Sequence, residues 1–156
     1  MIIDNEIKLD FKDVLICPTP SSIKSRSDVN LNNTFSFKYV KNYQWTGIPL
    51  MISNMDTTGT FDMVYSAYQH NIFVCIHKHY SIDNWIAFRD SITDNNIYNY
   101  FSVSCGSKDH DFQKLTAIMN ELPNIQFICL DVANGYPASI NFSTIYLHVV
   151  ECCSSY

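Results

Sequence analysis

Glycine is scarce here, with 4 among 156 residues, where average usage of roughly 7% would give about eleven. Loops that cradle phosphate need glycine for close backbone approach. None of the four forms G-x-G-x-x-G or a P-loop, so any grip on nucleotide phosphates is expected to lie elsewhere. Positive charge is thin as well: 10 Lys and Arg against 15 Asp and Glu give a formal net charge of −5, and Lys24 with Arg26 is the nearest approach to a basic run. That balance excludes nucleic-acid binding driven by phosphate attraction. No apolar run nears the ~20 residues of a membrane span, so no membrane partner is expected. The opening Met1-Ile2-Ile3-Asp4-Asn5-Glu6 brings charge before any apolar stretch and does not read as a signal peptide. The six cysteines (Cys17, Cys75, Cys105, Cys129, Cys152 and Cys153) have no C-x-x-C spacing, and Cys75 and Cys129 sit inside apolar runs. A reduced, cytoplasmic compartment is the expectation.

What the chain does have is apolar residues, at 47%, with 16% charged. Both values suit one domain of ordinary size with a real core. The stretch Phe127-Ile128-Cys129-Leu130-Asp131-Val132-Ala133-Asn134-Gly135-Tyr136 is the most telling. An apolar run ends in an acid, a small residue, an amide and a glycine, as when a buried parallel strand delivers polar groups to a ligand at its C-terminal edge.

That unit occurs three times earlier. Ile48 to Ser53 is followed by Asn54 to Gly59, then by a helical pattern with Phe61, Val64, Tyr65 and Tyr68 on one face. Thr60 suits the N-cap and Asp62 the first turn. Ile72 to Ile76 is followed by His77-Lys78-His79-Tyr80, then by a helix capped by Ser81 with Ile82, Trp85, Ile86 and Arg89 on one face. Tyr100 to Ser104 is followed by Cys105-Gly106-Ser107, then by a helix with Phe112, Leu115, Met119 and Leu122 in line, ended by Pro123. Strand starts near 48, 72, 100 and 125 predict a parallel sheet with right-handed crossovers. An open doubly wound sheet fits, and so does half of a (β/α)8 barrel, since a complete one takes about 250 residues.

Residues 1–46 read as an irregular lead-in, with Pro18 and Pro20 forbidding regular structure, although Val29, Leu31, Phe35 and Phe37 suit short strands. Residues 137–156 break the βα scheme. They are rich in β-branched and aromatic residues where a fourth helix is due.

Five segments, in order, resemble the IMP dehydrogenase/GMP reductase family. They are Leu9-Asp10-Phe11-Lys12-Asp13-Val14-Leu15, Ser21-Ser22-Ile23-Lys24-Ser25-Arg26, Asn54 to Phe61, Ile76-His77-Lys78-His79-Tyr80 and Cys129 to Tyr136. His-Lys-His-Tyr and Asp-Val-Ala-Asn-Gly-Tyr favour the reductase branch. The resemblance implies an α/β fold: an incomplete (β/α)8 TIM barrel made of the first four βα units after the irregular lead-in. Residues 1–136 would form the N-terminal half of the barrel, and 137–156 an unmatched tail. It implies NADPH-dependent reductive deamination of GMP to IMP with loss of ammonia, in a homo-oligomer. The family's nucleophilic cysteine lies in a G-P-G-S-x-C-T-T-R loop that does not occur in this sequence, and none of the six cysteines has that context. No catalytic residue is therefore expected here.

The resemblance also assigns cofactor contacts. Asp131, Val132 and Ala133 match positions that touch the nicotinamide cofactor, and a carboxylate there can orient a proton or position an amide. A strand-end acid capping a helix is the plain alternative. Lys78 matches another contact and can pair with Asp131 across the mouth; otherwise it is a surface lysine with a buried stem. Ser25 and Arg26 match a pair that reaches the cofactor's adenosine end from a neighbouring subunit, and arginine suits phosphate; otherwise they belong to a solvated loop. Asn54 and Asp56 are expected to shape the site floor, or simply to hydrogen-bond the backbone. His77 and His79 have no third ligand in view, so no metal is expected. Cys105, beside Gly106, reads as an exposed but inert thiol.

Three readings follow: part of a reductase, a non-catalytic relative that associates with full-length subunits, or a module that retains only cofactor binding. A half barrel leaves open edges and an unfilled inner face, so apolar exposure and self-association are expected unless the tail covers one edge with a strand.

Overall fold

In a computed structural model of the chain, residues 6–7, 9–37, 40–132 and 148–153 are described. The contacts divide them into two units, Met1–Asn30 and Leu31–Tyr156. In the first, Pro18 and Pro20 keep the chain out of regular structure, and only two short 3-10 turns form, Phe11–Asp13 and Arg26–Asp28. Asp10 and Asp13 cap the first turn reciprocally. Every described residue of this unit is exposed.

The second unit opens with an antiparallel pair, β1 (Asn33–Phe37) and β2 (Val40–Gly47), with Phe35 opposite Trp45. The lead-in is thus not irregular throughout. Its alternating apolar residues make a hairpin because cross-strand aromatic pairing is available. A parallel sheet follows in the order β3 (Met51–Ile52), β4 (Phe73–Ile76), β5 (Phe101–Cys105), β6 (Phe127–Val132) and β7 (His148–Cys153). Helices α1 (Phe61–Tyr68), α2 (Ile82–Ser91) and α3 (Asp109–Glu121) follow β3, β4 and β5. The residues after β6 that would hold a fourth helix lie outside the described ones. The tail supplies a fifth parallel strand, whose register sets Cys152 beside Asp131.

Side chains alternate across each strand, so the two faces of the sheet collect different residues. Val74, Ile76, Phe101, Val103 and Ile128 join Val64, Trp85, Phe88, Leu115 and Ile118 in the main core beneath the helices. Each such burial contributes roughly 1.5–3 kcal/mol. On the opposite face, Phe73, Cys75, Phe127 and Cys129 pack with Trp45. Phe73 and Phe127 open β4 and β6, and their rings meet edge-on at 5.0 Å. Trp45 reaches Phe73 at 6.1 Å, and Tyr43 reaches Phe127 at 5.8 Å. The hairpin is pinned there by Trp45 Nε1–H donating to the Asn99 carbonyl (2.8 Å) and the Tyr100 hydroxyl donating to the Thr46 carbonyl (3.0 Å). It therefore covers the N-terminal ends of the strands and leaves their C-terminal ends for chemistry.

Helix starts follow local chemistry. Thr60 Oγ1 accepts from Met63 N–H at 3.2 Å, and Ser81 Oγ accepts from Asn84 N–H while Asn84 Oδ1 takes Ser81 N–H. On α2 the buried residues are Trp85 and Phe88 rather than Trp85 and Ile86. The helix turns slightly so that Phe88 stacks on Phe61 at 4.3 Å. After α1 the chain reverses through Asn71 at φ 55°, with Ile72 N–H bonded to the Ala67 carbonyl.

Candidate functional site

The C-terminal ends of β3, β4 and β6 present Asn54–Gly59, His77–Tyr80 and Asp131. Gly59 has no room for a side chain: a Cβ there would collide with the carbonyl oxygens of Cys75 and Ser53. The loop after β3 can therefore press against β4, and the Gly59 carbonyl accepts His77 N–H at 2.9 Å. Tyr80 stacks on both Phe61 (3.9 Å) and His77 (4.1 Å), which ties the loop after β4 to α1. Thr58 Oγ1–H donates to the Ser53 carbonyl at 3.1 Å, shaping the floor beside exposed Asp56.

His77 is 7% exposed. Its Nδ1 accepts His79 N–H at 3.2 Å, so the neutral ring carries its proton on Nε2. Burial, then the neighbouring His79, pushes its pKa below 6.5, and Asp56 opposes that only in part. The ring is a neutral spacer at pH 7. Among the described residues, no group of three or more His, Cys, Asp or Glu is placed to hold a metal ion.

Lys78 Nζ lies 3.1 Å from Asp131 Oδ2, with the two side chains 42% and 26% exposed. The pairing expected across the mouth is thus in place. An exposed pair of this kind stabilises a fold by only about 0.2–1 kcal/mol, too little to make it a structural lock. It leaves a cation and a carboxylate side by side at a strand end, within reach of an incoming ligand. Such a pair can accept an amide N–H on one side, donate to an oxygen on the other, and pass a proton between them.

Val132 ends the same strand, half-buried beside Asp131. Ala133, also expected at the site, lies outside the described residues, as do Asn134 to Tyr136. Ser25 and Arg26 fall in the N-terminal unit. Ser25 Oγ accepts Ser27 N–H at 3.3 Å and caps the turn that begins at exposed Arg26.

Cys105 is buried, not exposed, because it ends β5 facing the helix-side core. Its thiol is pushed up to about 12 by burial and by Asp111, and it donates to the Gly106 carbonyl at 3.1 Å. A thiol held protonated is a poor nucleophile.

Sequence reasoning passed over Lys114. Its Nζ donates to the Lys78 carbonyl at 2.7 Å, and with Lys78 and His79 it lines a cavity of about 280 Å³ between the β4 loop and α3. The signal was present: Lys114 stands four residues before buried Ile118, on the helix stripe that faces the sheet.

Fold and site together define an α/β protein with a curled parallel half-barrel sheet and polar side chains gathered at its C-terminal edge. A solved structure of inosine 5′-monophosphate dehydrogenase from Legionella pneumophila shares this fold, with a TM-score of 0.60 at 21% identity, over 83% of this chain and 36% of that one. No family profile matches the chain. Among curated proteins, GMP reductase of Caenorhabditis elegans is 49% identical over 137 residues, 88% of this chain and 38% of that protein. Human GMP reductase 1 is 48% identical over 134 residues, 86% of this chain and 38% of that protein. Over these residues the chain is a homologue of the GMP reductases; it spans well under half the length of those it matches.

Proposed function

We propose that this chain carries the first βα units of a GMP reductase-type TIM barrel, residues 1–136 as its N-terminal half, together with part of the site for NADPH. The single observation that carries the reading is the Lys78–Asp131 pair at 3.1 Å on a sheet edge facing solvent, in a chain 49% identical to a GMP reductase. Lys78, Asp131, Val132 and Ala133 would hold the nicotinamide end. Lys78 offers donors to an oxygen, and Asp131 fixes the lysine and accepts from an amide. Ser25 and Arg26 would meet the adenosine end of a cofactor held by a neighbouring subunit. NADPH, when bound, supplies the hydride for converting GMP to IMP and ammonia, a step of purine salvage in the cytoplasm.

These residues alone would not reduce GMP, since no cysteine here stands in a G-P-G-S-x-C-T-T-R context and the buried Cys105 is held as a thiol. The test is a fluorescence titration of NADPH into the chain and into Lys78→Met. Binding that weakens about tenfold, or about 1.4 kcal/mol, is expected in the variant, and no NADPH binding by the wild type would sink the cofactor assignment. GMP-dependent NADPH oxidation by rigorously pure chain would overturn the assignment of inactivity.

A second reading, association with full-length reductase subunits or with further copies of itself, is favoured by one observation. An apolar hollow of about 400 Å³ lies against the edge strand, lined by Phe35, Phe37, Leu50, Met51, Phe73 and Phe127. Capture of full-length reductase without any NADPH binding would support this reading over the first.

A further inference from the structure

We infer that Lys114, on α3, is a positioning residue that sets Lys78 against Asp131. This rests on the reading of that pair as part of a cofactor site. β4 and β6 are not neighbours, since β5 runs between them. Two strand spacings come to about 10 Å, so the Lys78 side chain must reach across the end of β5 to meet Asp131, and the pair depends on where the Lys78 main chain is held.

The loop's start is fixed by His77 N–H on the Gly59 carbonyl and by the stacking of His77 on Tyr80. Those contacts hold it towards β3 and α1, away from β6. The contact on the other side is Lys114 Nζ, which donates to the Lys78 carbonyl at 2.7 Å. Lys114 rises from the helix that follows β5, so its bond ties the main chain of Lys78 to α3. Lys114 is partly buried and lines the same cavity as Leu115 and Ile118, and a charged donor to a carbonyl is stronger than a neutral one. A lysine serving solubility alone would extend into solvent instead.

Limited acetic anhydride labelling of the whole chain, read lysine by lysine by peptide mass spectrometry, tests this, because an ion-paired amine acylates slowly. Lys114→Met keeps the stem and removes the donor. It is expected to raise Lys78 labelling several-fold, leave exposed Lys108 unchanged and weaken NADPH binding about tenfold. Lys114→Arg, which restores a cationic donor, is expected to return Lys78 labelling to within twofold of wild type. Unchanged Lys78 labelling in Lys114→Met overturns the inference. So does an equal rise at Lys108, which would mean general loosening, or failure of Lys114→Arg to rescue. If Lys114→Met does not fold, Lys114→Gln decides by the same criterion. Should the wild type bind no NADPH, the cofactor assignment falls while the labelling still decides the role of Lys114.

Discussion

His77 shows how burial and charge combine on one side chain. Its folded pKa is depressed below the ordinary 6.5, first by burial and then by His79, with Lys114 adding to the effect. The unfolded chain therefore binds more protons than the folded one around and below pH 6.5, and stability rises with pH through that window. The contribution is fully present above about pH 6.5 and is lost as pH falls through the lower folded value, when Nδ1 must give up the His79 N–H. Urea midpoints at pH 7.5 and pH 5.5 are expected to differ more for wild type than for His77→Gln, which keeps an acceptor but does not titrate. Equal drops in both proteins would show that His77 is not the group responsible. Gly59 matters at the same level for a different reason: the backbone of β4 comes too close for any Cβ.

Among the elements, α2 depends most on its start. The helix, Ile82 to Ser91, carries few strong helix formers, and it is held by Trp85 and Phe88 in the core and by the Ser81–Asn84 capping box. Ser81→Ala removes the Ser81 Oγ bonds to Asn84 while leaving Ser81 N–H on Asn84 Oδ1, and is expected to destabilise the chain by about 1 kcal/mol. Chemical denaturation checks this, and a change below a few tenths would mean that packing alone sets where α2 begins. β3 is the opposite case. Two residues long, it has one neighbour in the sheet, β4, and it persists because Gly59 and α1 anchor the loop behind it.

Taken whole, the chain buries side chains on both faces of its sheet among the described residues, the inner face including Cys75, Ser102, Ser104 and Cys129. β7 pairs along the whole of β6, so one edge is covered, as expected if the tail contributed a strand. The other edge leaves Leu50 and Met51, at 61% and 47% exposure, beside the apolar hollow. An apolar edge strand beside an apolar hollow is a template for pairing with another chain. The isolated chain is therefore expected to self-associate and to bind a hydrophobic dye. Met51→Lys is expected to lower the average mass in analytical ultracentrifugation, since a lysine on an edge strand opposes pairing. A monodisperse wild-type monomer that ignores the dye would contradict this.

Much of this architecture was legible in residue order. Apolar runs ending in polar residues located β3 to β6, and Thr60 and Ser81 marked helix starts. Those features are local: a strand's apolar run and a helix's cap are set by neighbours within a few residues. Asp131 and Lys78 were visible as candidates because each closes such a run. What residue order could not supply is distance between elements. That Lys78 crosses β5 to reach Asp131, that Lys114 holds its carbonyl, that Cys105 points into the core and that residues 148–153 add a fifth strand all depend on how the sheet curls and how α3 lies over it. Those arrangements are decided by packing between segments far apart in the chain, which is why only the tertiary structure determined them.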